Sequence, residues 1–148
     1  MKNKMNLNNQ TLGFLINQAA SRFGLSLTHK LSESNLGLGF GQFQVLKLLS
    51  VYDNISQIEI SRLLNKDAAG IKRILDNLEK EEYIVRTAVN KSKNSISLSE
   101  KALQLMPQLL SIADENNNLA AQDITESELN QFKDTLIKII NNFSITIK

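Results

Sequence analysis

The sequence predicts a mostly α-helical fold with one small β-hairpin. Two short amphipathic segments, each with its own N-cap signal, lie back to back between Ser56 and Glu82. A period-2 segment rich in cations follows at once and ends near Leu98. Long apolar stripes at helical spacing occupy both ends of the chain. Helix, tight turn, helix and basic hairpin together make a winged helix-turn-helix, here flanked by N- and C-terminal helices.

The first nine residues are polar and asparagine-rich and are expected to fray. From Thr11 to about Ser32, Leu12, Leu15, Ile16, Ala19, Phe23 and Leu27 form a stripe too long for a small winged unit to cover. Gly37, Gly39 and Gly41 then break the helix and turn the chain. Phe43, Val45, Leu46 and Leu49 restart an apolar face in a helix ending near Tyr52. Ser56 opens the next helix in a capping box with Glu59, and Ile60, Leu63 and Leu64 supply its buried stripe. Asn65 and Lys66 make the turn. Asp67 caps a second helix in which Ile71, Ile74, Leu75 and Leu78 share one face, leaving Ala69, Arg73 and Asp76 on the other. Ile84–Val89 and Ser95–Leu98 alternate like strands around the polar turn NKSKN, Asn90 to Asn94.

Beyond the hairpin, Ser99 caps a helix expected to reach Asn118. Leu103, Met106, Leu110 and Ala113 lie on one side and Leu105, Leu109 and Ile112 on another, with Pro107 inside predicting a kink and Asn116 to Asn118 loosening the end. Thr125 and Glu128 form another capping box. Leu129, Phe132, Leu136, Ile139, Ile140 and Phe143 stripe the last helix. The terminal stripes need a cover that the winged core does not provide, and a second copy of the chain is the economical one. The organisation read from this is an N-terminal dimerisation helix (1–36), a winged unit (37–98) and C-terminal dimerisation helices (99–148), together one domain.

QFQVLKLL at Gln42 to Leu49, SQIEISRLLN, KDAAGIKRILDNLEKE and the closing ISLS stand in an order and spacing that resemble the DNA-binding domain of the MarR family of bacterial transcription regulators. The resemblance implies a homodimer on double-stranded DNA, its two recognition helices about 34 Å apart on a pseudo-palindromic operator. It also implies a cytoplasmic repressor released by a small aromatic or phenolic effector. Carried onto this chain, the candidate DNA-binding residues are Lys66, Ala69, Gly70, Lys72 and Arg73 around the recognition helix, and Arg86, Asn90, Lys91, Ser92 and Lys93 in the wing. Three departures stand out. Ala68, Ala69 and Gly70 offer no side-chain donors where relatives carry hydroxyl or basic residues, and the wing has lysines in place of the usual arginine. Glu82 replaces the glycine common after the recognition helix, at a cost of about 1 kcal/mol if the position is left-handed.

Composition narrows the alternatives. A chain of 148 residues can bury a real core as one domain. It has no cysteine and a single histidine, His29, read as a surface helix residue, so thiolate chemistry and multi-histidine metal clusters are excluded. No cofactor or metal is expected. No apolar run reaches the ~20 residues of a membrane span, and MKNKMNLNN lacks the apolar core of a signal peptide.

The net charge of +2 is unevenly spread, with five basic and two acidic residues in 1–55, eight and six in 56–98, and four and seven in 99–148. The positive end is the one that should meet DNA, and Arg86 to Lys93 holds three cations and no acid. For Arg73 the plain alternative is an i, i+3 pair with Asp76. An enzyme is unsupported, because no nucleophile–base set or phosphate-cradling glycine loop appears. The competing reading is a winged-helix interaction or architectural module that binds DNA weakly.

Overall fold

The structure is a computed structural model and describes residues 6–90 and 93–143. The element order is α1 (Leu12–Glu33), α2 (Phe40–Val51), α3 (Gln57–Leu63), α4 (Ala68–Lys80), β1 (Ile84–Asn90), β2 (Lys93–Leu98), α5 (Glu100–Ala120) and α6 (Glu126–Asn142). The expected fraying falls on residues 1–5, outside the described residues, and Leu7–Asn9 form a short 3-10 turn instead.

Side-chain caps start the helices where the sequence says they should. Thr11, Ser56, Asp67, Ser99 and Thr125 each accept a backbone N–H from the first turn that follows. The Ser56–Glu59 and Thr125–Glu128 capping boxes are both formed. In the second, the backbone and hydroxyl of Thr125 hold the Glu128 carboxyl below its ordinary range.

The glycines divide by role. Gly37 takes a left-handed φ of 69° in the turn after α1, a conformation that only glycine adopts without strain. Gly41 does not break a helix as expected. It lies inside α2, where a Cβ would stand 3.0 Å from Ile74 Cδ1 on α4, so its hydrogen lets the two helices close up.

One buried cluster joins the winged unit to its flanking helices. Leu27 and Leu31 of α1, Phe43, Val45, Leu46 and Leu49 of α2, Ile60 of α3, and Ile71, Leu75 and Leu78 of α4 pack with Ile84, Ile96 and the inner face of α5. The β1–β2 hairpin is antiparallel with Ile84 opposite Leu98 and Arg86 opposite Ile96, and its register shifts between Ala88 and Asn90. Ile55, just before α3, adds an isolated bridge to Ile96, whose N–H donates to the Ile55 carbonyl at 2.9 Å. The strands run further toward the tip than the alternation predicts.

Three packing expectations need correction. Leu63 is half exposed, and Leu64 takes its place against the core. On α5 the buried side is Ala102, Met106, Leu109, Ile112, Ala113 and Asn116, while Leu103 and Leu110 of the predicted first stripe face outward. Asn116 to Asn118 do not loosen α5, which stays helical across Pro107 and on to Ala120. Asn116 is buried, and its Nδ2 donates to the Phe23 carbonyl of α1 at 3.3 Å.

The terminal stripes are largely uncovered. Leu12, Leu15 and Phe23 on α1 are exposed, as are Phe132, Ile137, Ile140 and Phe143 at the other end, and α6 has no buried residue. Among the described residues no helix is long and apolar enough to cross a membrane, and no cluster of metal-ligating side chains occurs.

Candidate nucleic-acid interface

The turn between α3 and α4 sets the candidate face. Leu64 ends α3, Asn65 follows at φ 50°, and the N–H groups of Asn65 and Lys66 return to the carbonyls of Arg62 and Ser61 at 3.2 and 3.0 Å. That pairing is a Schellman ending, and asparagine tolerates its left-handed position better than most residues. Asp67 then caps α4, its Oδ2 accepting from Gly70 N–H at 3.0 Å. A Cβ at Gly70 would lie 2.8 Å from Asp67 Oδ1, so a larger residue there would make the capping carboxylate shift.

With Ile71, Leu75 and Leu78 fully buried, α4 presents Ala69, Lys72 and Arg73 to solvent. Lys66 is also exposed, at the entry to the helix. A shallow groove of about 410 Å³ runs alongside it, lined by Gln57, Arg62, Asn65 and Lys66 among others. Gln57 and Arg62 were missed from the sequence. The signal was their position, one just after the Ser56 cap and the other in the last turn of α3.

The charged side chains are less free than the sequence suggests. Asp76 does not pair with Arg73. It accepts from Lys72 Nζ at 2.6 Å and from Arg86 Nη2 at 2.8 Å, and these two bonds hold its carboxyl below the ordinary 3.8, with Lys72 the larger cause. Arg86 Nε also lies 3.4 Å from Glu79 Oε2, an ion pair without hydrogen-bond alignment. The Arg86 side chain is only 20% exposed, so this wing arginine acts as a strut between β1 and α4. Arg73 is exposed and has no ion pair among the described residues. Asn90 ends β1 and is exposed, whereas Lys91 and Ser92, and the side chain of Lys93, lie outside the described residues.

The C-terminus of α4 is locked to α5. Glu82 adopts φ 62°, a left-handed conformation that glycine takes without strain, and Glu82 and Tyr83 N–H groups close a second Schellman ending on Glu79 and Leu78 carbonyls at 2.9 and 2.8 Å. Ser99 Oγ donates to the Glu82 carbonyl at 2.6 Å and Lys101 Nζ to the Glu81 carbonyl at 2.7 Å. The same ammonium stands 4.2 Å from the centre of the Tyr83 ring.

A cap, a tight turn, an exposed second helix strutted to a hairpin, and a supporting helix in front define a winged helix-turn-helix protein. The sequence model of the MarR family matches residues 40–95. An uncharacterized HTH-type transcriptional regulator of Bacillus cereus is 36% identical over 98 residues, which are 64% of this chain and 65% of that relative, so the chain spans less than two thirds of its length. A MarR transcriptional regulator from Methanosarcina mazei superposes with a TM-score of 0.79 at 24% identity, covering 88% of this chain and 87% of that one. A mutant MarR from E. coli complexed with operator DNA gives 0.76 at 21%, covering 86% and 92%. Residues 40–95 thus match the MarR family model, and the fold is that of MarR regulators of known structure.

Proposed function

We propose that the protein is a dimeric, sequence-specific transcription regulator of the cytoplasm. Two recognition helices about 34 Å apart would read a pseudo-palindromic duplex through successive major grooves. The observation that carries this reading is the solvent face of α4, where Arg73 stands exposed beside the exposed Lys66 at the helix entry. The E. coli relative of the same fold complexed with operator DNA supports it. Arg73 would contact a base edge or anchor to phosphate, Lys66 and Lys72 would meet phosphate, and Lys91 and Lys93 at the wing tip would meet phosphate or the minor groove. Ala69 and Gly70 would let α4 approach the bases closely. Repression relieved by a small aromatic or phenolic effector completes the reading.

A second reading, a winged-helix interaction module with incidental DNA contact, is favoured by one set of facts. Ala68, Ala69 and Gly70 carry no donors, and Lys72 is engaged by Asp76. Selection of bound duplexes from random DNA separates the two. A regulator yields an enriched inverted repeat, and replacing Lys91 and Lys93 with Ala lowers the log–log salt slope by about 1 to 2 per subunit. A module yields no enriched sequence.

A further inference from the structure

Asp76 stands between two cations that differ in exposure. Arg86 is largely enclosed at 20% and has a second carboxylate, Glu79, 3.4 Å away. Lys72 is 63% exposed, and Asp76, one helical turn on, is the only acid it pairs with among the described residues. Loss of the Asp76 charge would therefore leave Arg86 anchored by Glu79 and release Lys72 alone. The pair also has the less favourable order on its helix, cation before acid, so its geometry is not one that helix stability alone would select.

Resting on the reading of α4 as a recognition helix, we infer that Asp76 is a specificity-determining residue that withholds Lys72 from the DNA backbone. With its ammonium drawn to the carboxylate at 2.6 Å, Lys72 gives up part of that attraction to reach a phosphate, which a free lysine would not. A helix seated deep in a matched major groove brings a phosphate close enough to compete for the ammonium. A duplex of the wrong sequence, whose base edges do not let the helix seat fully in the groove, does not. Random DNA then binds with one phosphate contact fewer per subunit than the operator. The carboxylate thus acts against the unwanted complex more than for the wanted one.

The test is fluorescence anisotropy of the full chain on a labelled random-sequence duplex and on the selected operator, across a salt series. Asp76→Asn should bind random duplex about 5- to 10-fold more tightly at low salt, with a log–log slope steeper by about 1 per subunit, while the operator changes less and the specificity ratio falls. Adding Lys72→Ala to Asp76→Asn should return the slope to that of the parent. Glu79→Gln removes a neighbouring acid without freeing Lys72 and should produce no gain. A gain that survives in the double variant, or that Glu79→Gln matches, would mean that only overall charge matters and would overturn the inference, as would no gain from an Asp76→Asn that circular dichroism shows to be folded at the assay temperature. If the parent binds no duplex at any salt, the regulator reading falls first and this one with it.

Discussion

The side-chain amide of Asn116 on α5 reaches the backbone carbonyl of Phe23 on α1, 3.3 Å away, and its Oδ1 is buried without a hydrogen-bond partner. An amide in this place is fixed to α1 by one bond. Asn116→Ala should destabilise the protein by about 1 to 3 kcal/mol by removing this bond and the packing of the buried amide. Asn116→Asp should cost more at neutral pH, because a carboxylate would be desolvated there, and should recover as pH falls and the group becomes neutral. Urea unfolding at two pH values reads both effects; equal cost for Asp at both would refute the burial argument.

Glu82 offers a gain in stability. Its φ of 62° strains a side chain that makes no use of the conformation, while its carbonyl is already satisfied by Ser99. Glu82→Gly should stabilise by about 1 kcal/mol, raising Tm by about 2 to 4 °C. A lowered Tm would show that the lost chain entropy of glycine outweighs the strain.

The Asp76 carboxyl should titrate below 3.8, and Lys72→Ala should move it back up, since the Lys72 bond is the larger cause. A carboxylate whose folded value is depressed contributes stability that is complete above its unfolded value and is lost as pH falls through the folded one. Asp76→Asn should therefore be less stable than the parent at about pH 6, with the gap shrinking as pH falls below 3.8. Carbon-detected NMR of the carboxyl, with denaturant melts, checks both.

Arg73→Ala should cost about 1 to 3 kcal/mol of operator binding per half-site and leave Tm unchanged, because the position is exposed and bonded to no acid among the described residues. Binding within twofold of the parent would remove Arg73 from the interface.

Phe132 and Ile140 are 55% and 67% exposed on a helix with no buried residue. Replacing both with Asp should weaken self-association by at least about 100-fold in sedimentation equilibrium, and the parent's Tm should rise with protein concentration. A parent that sediments as a monomer at high concentration would refute the dimer.

Local signals were readable in the sequence because they are local. Ser56 with Glu59, Asp67 before Ala68, and Thr125 with Glu128 depend on three or four neighbouring residues, and each cap is in place. The buried stripe Ile71, Leu75 and Leu78 followed from helical period alone. What escaped joins residues far apart in the chain. Nothing near Arg86 reveals that Asp76 and Glu79 will enclose it, nothing near Asn116 points to Phe23, and Gly41 looks like a breaker until Ile74 is seen against it. The exposure of Lys66, Ala69 and Arg73 was legible, since the face opposite a buried stripe is fixed by geometry. The engagement of Lys72 was not: i, i+3 and i, i+4 partners compete for one carboxylate, and position alone does not choose between Arg73 and Lys72.

The joint at Glu82, Ser99 and Lys101 makes α4 a lever with its fulcrum at one end. Thirteen residues of helix place the first turn of α4 about 20 Å from that fulcrum. A tilt of about 5° of α5 carried through the joint would swing the Asp67 end by about 1.7 Å, more than the tolerance of a hydrogen bond. Arg73, near the middle of the arm, would travel about half as far. Small rotations at the root of α5 are thus magnified where the helix begins and muted where the wing is strutted to its far turns.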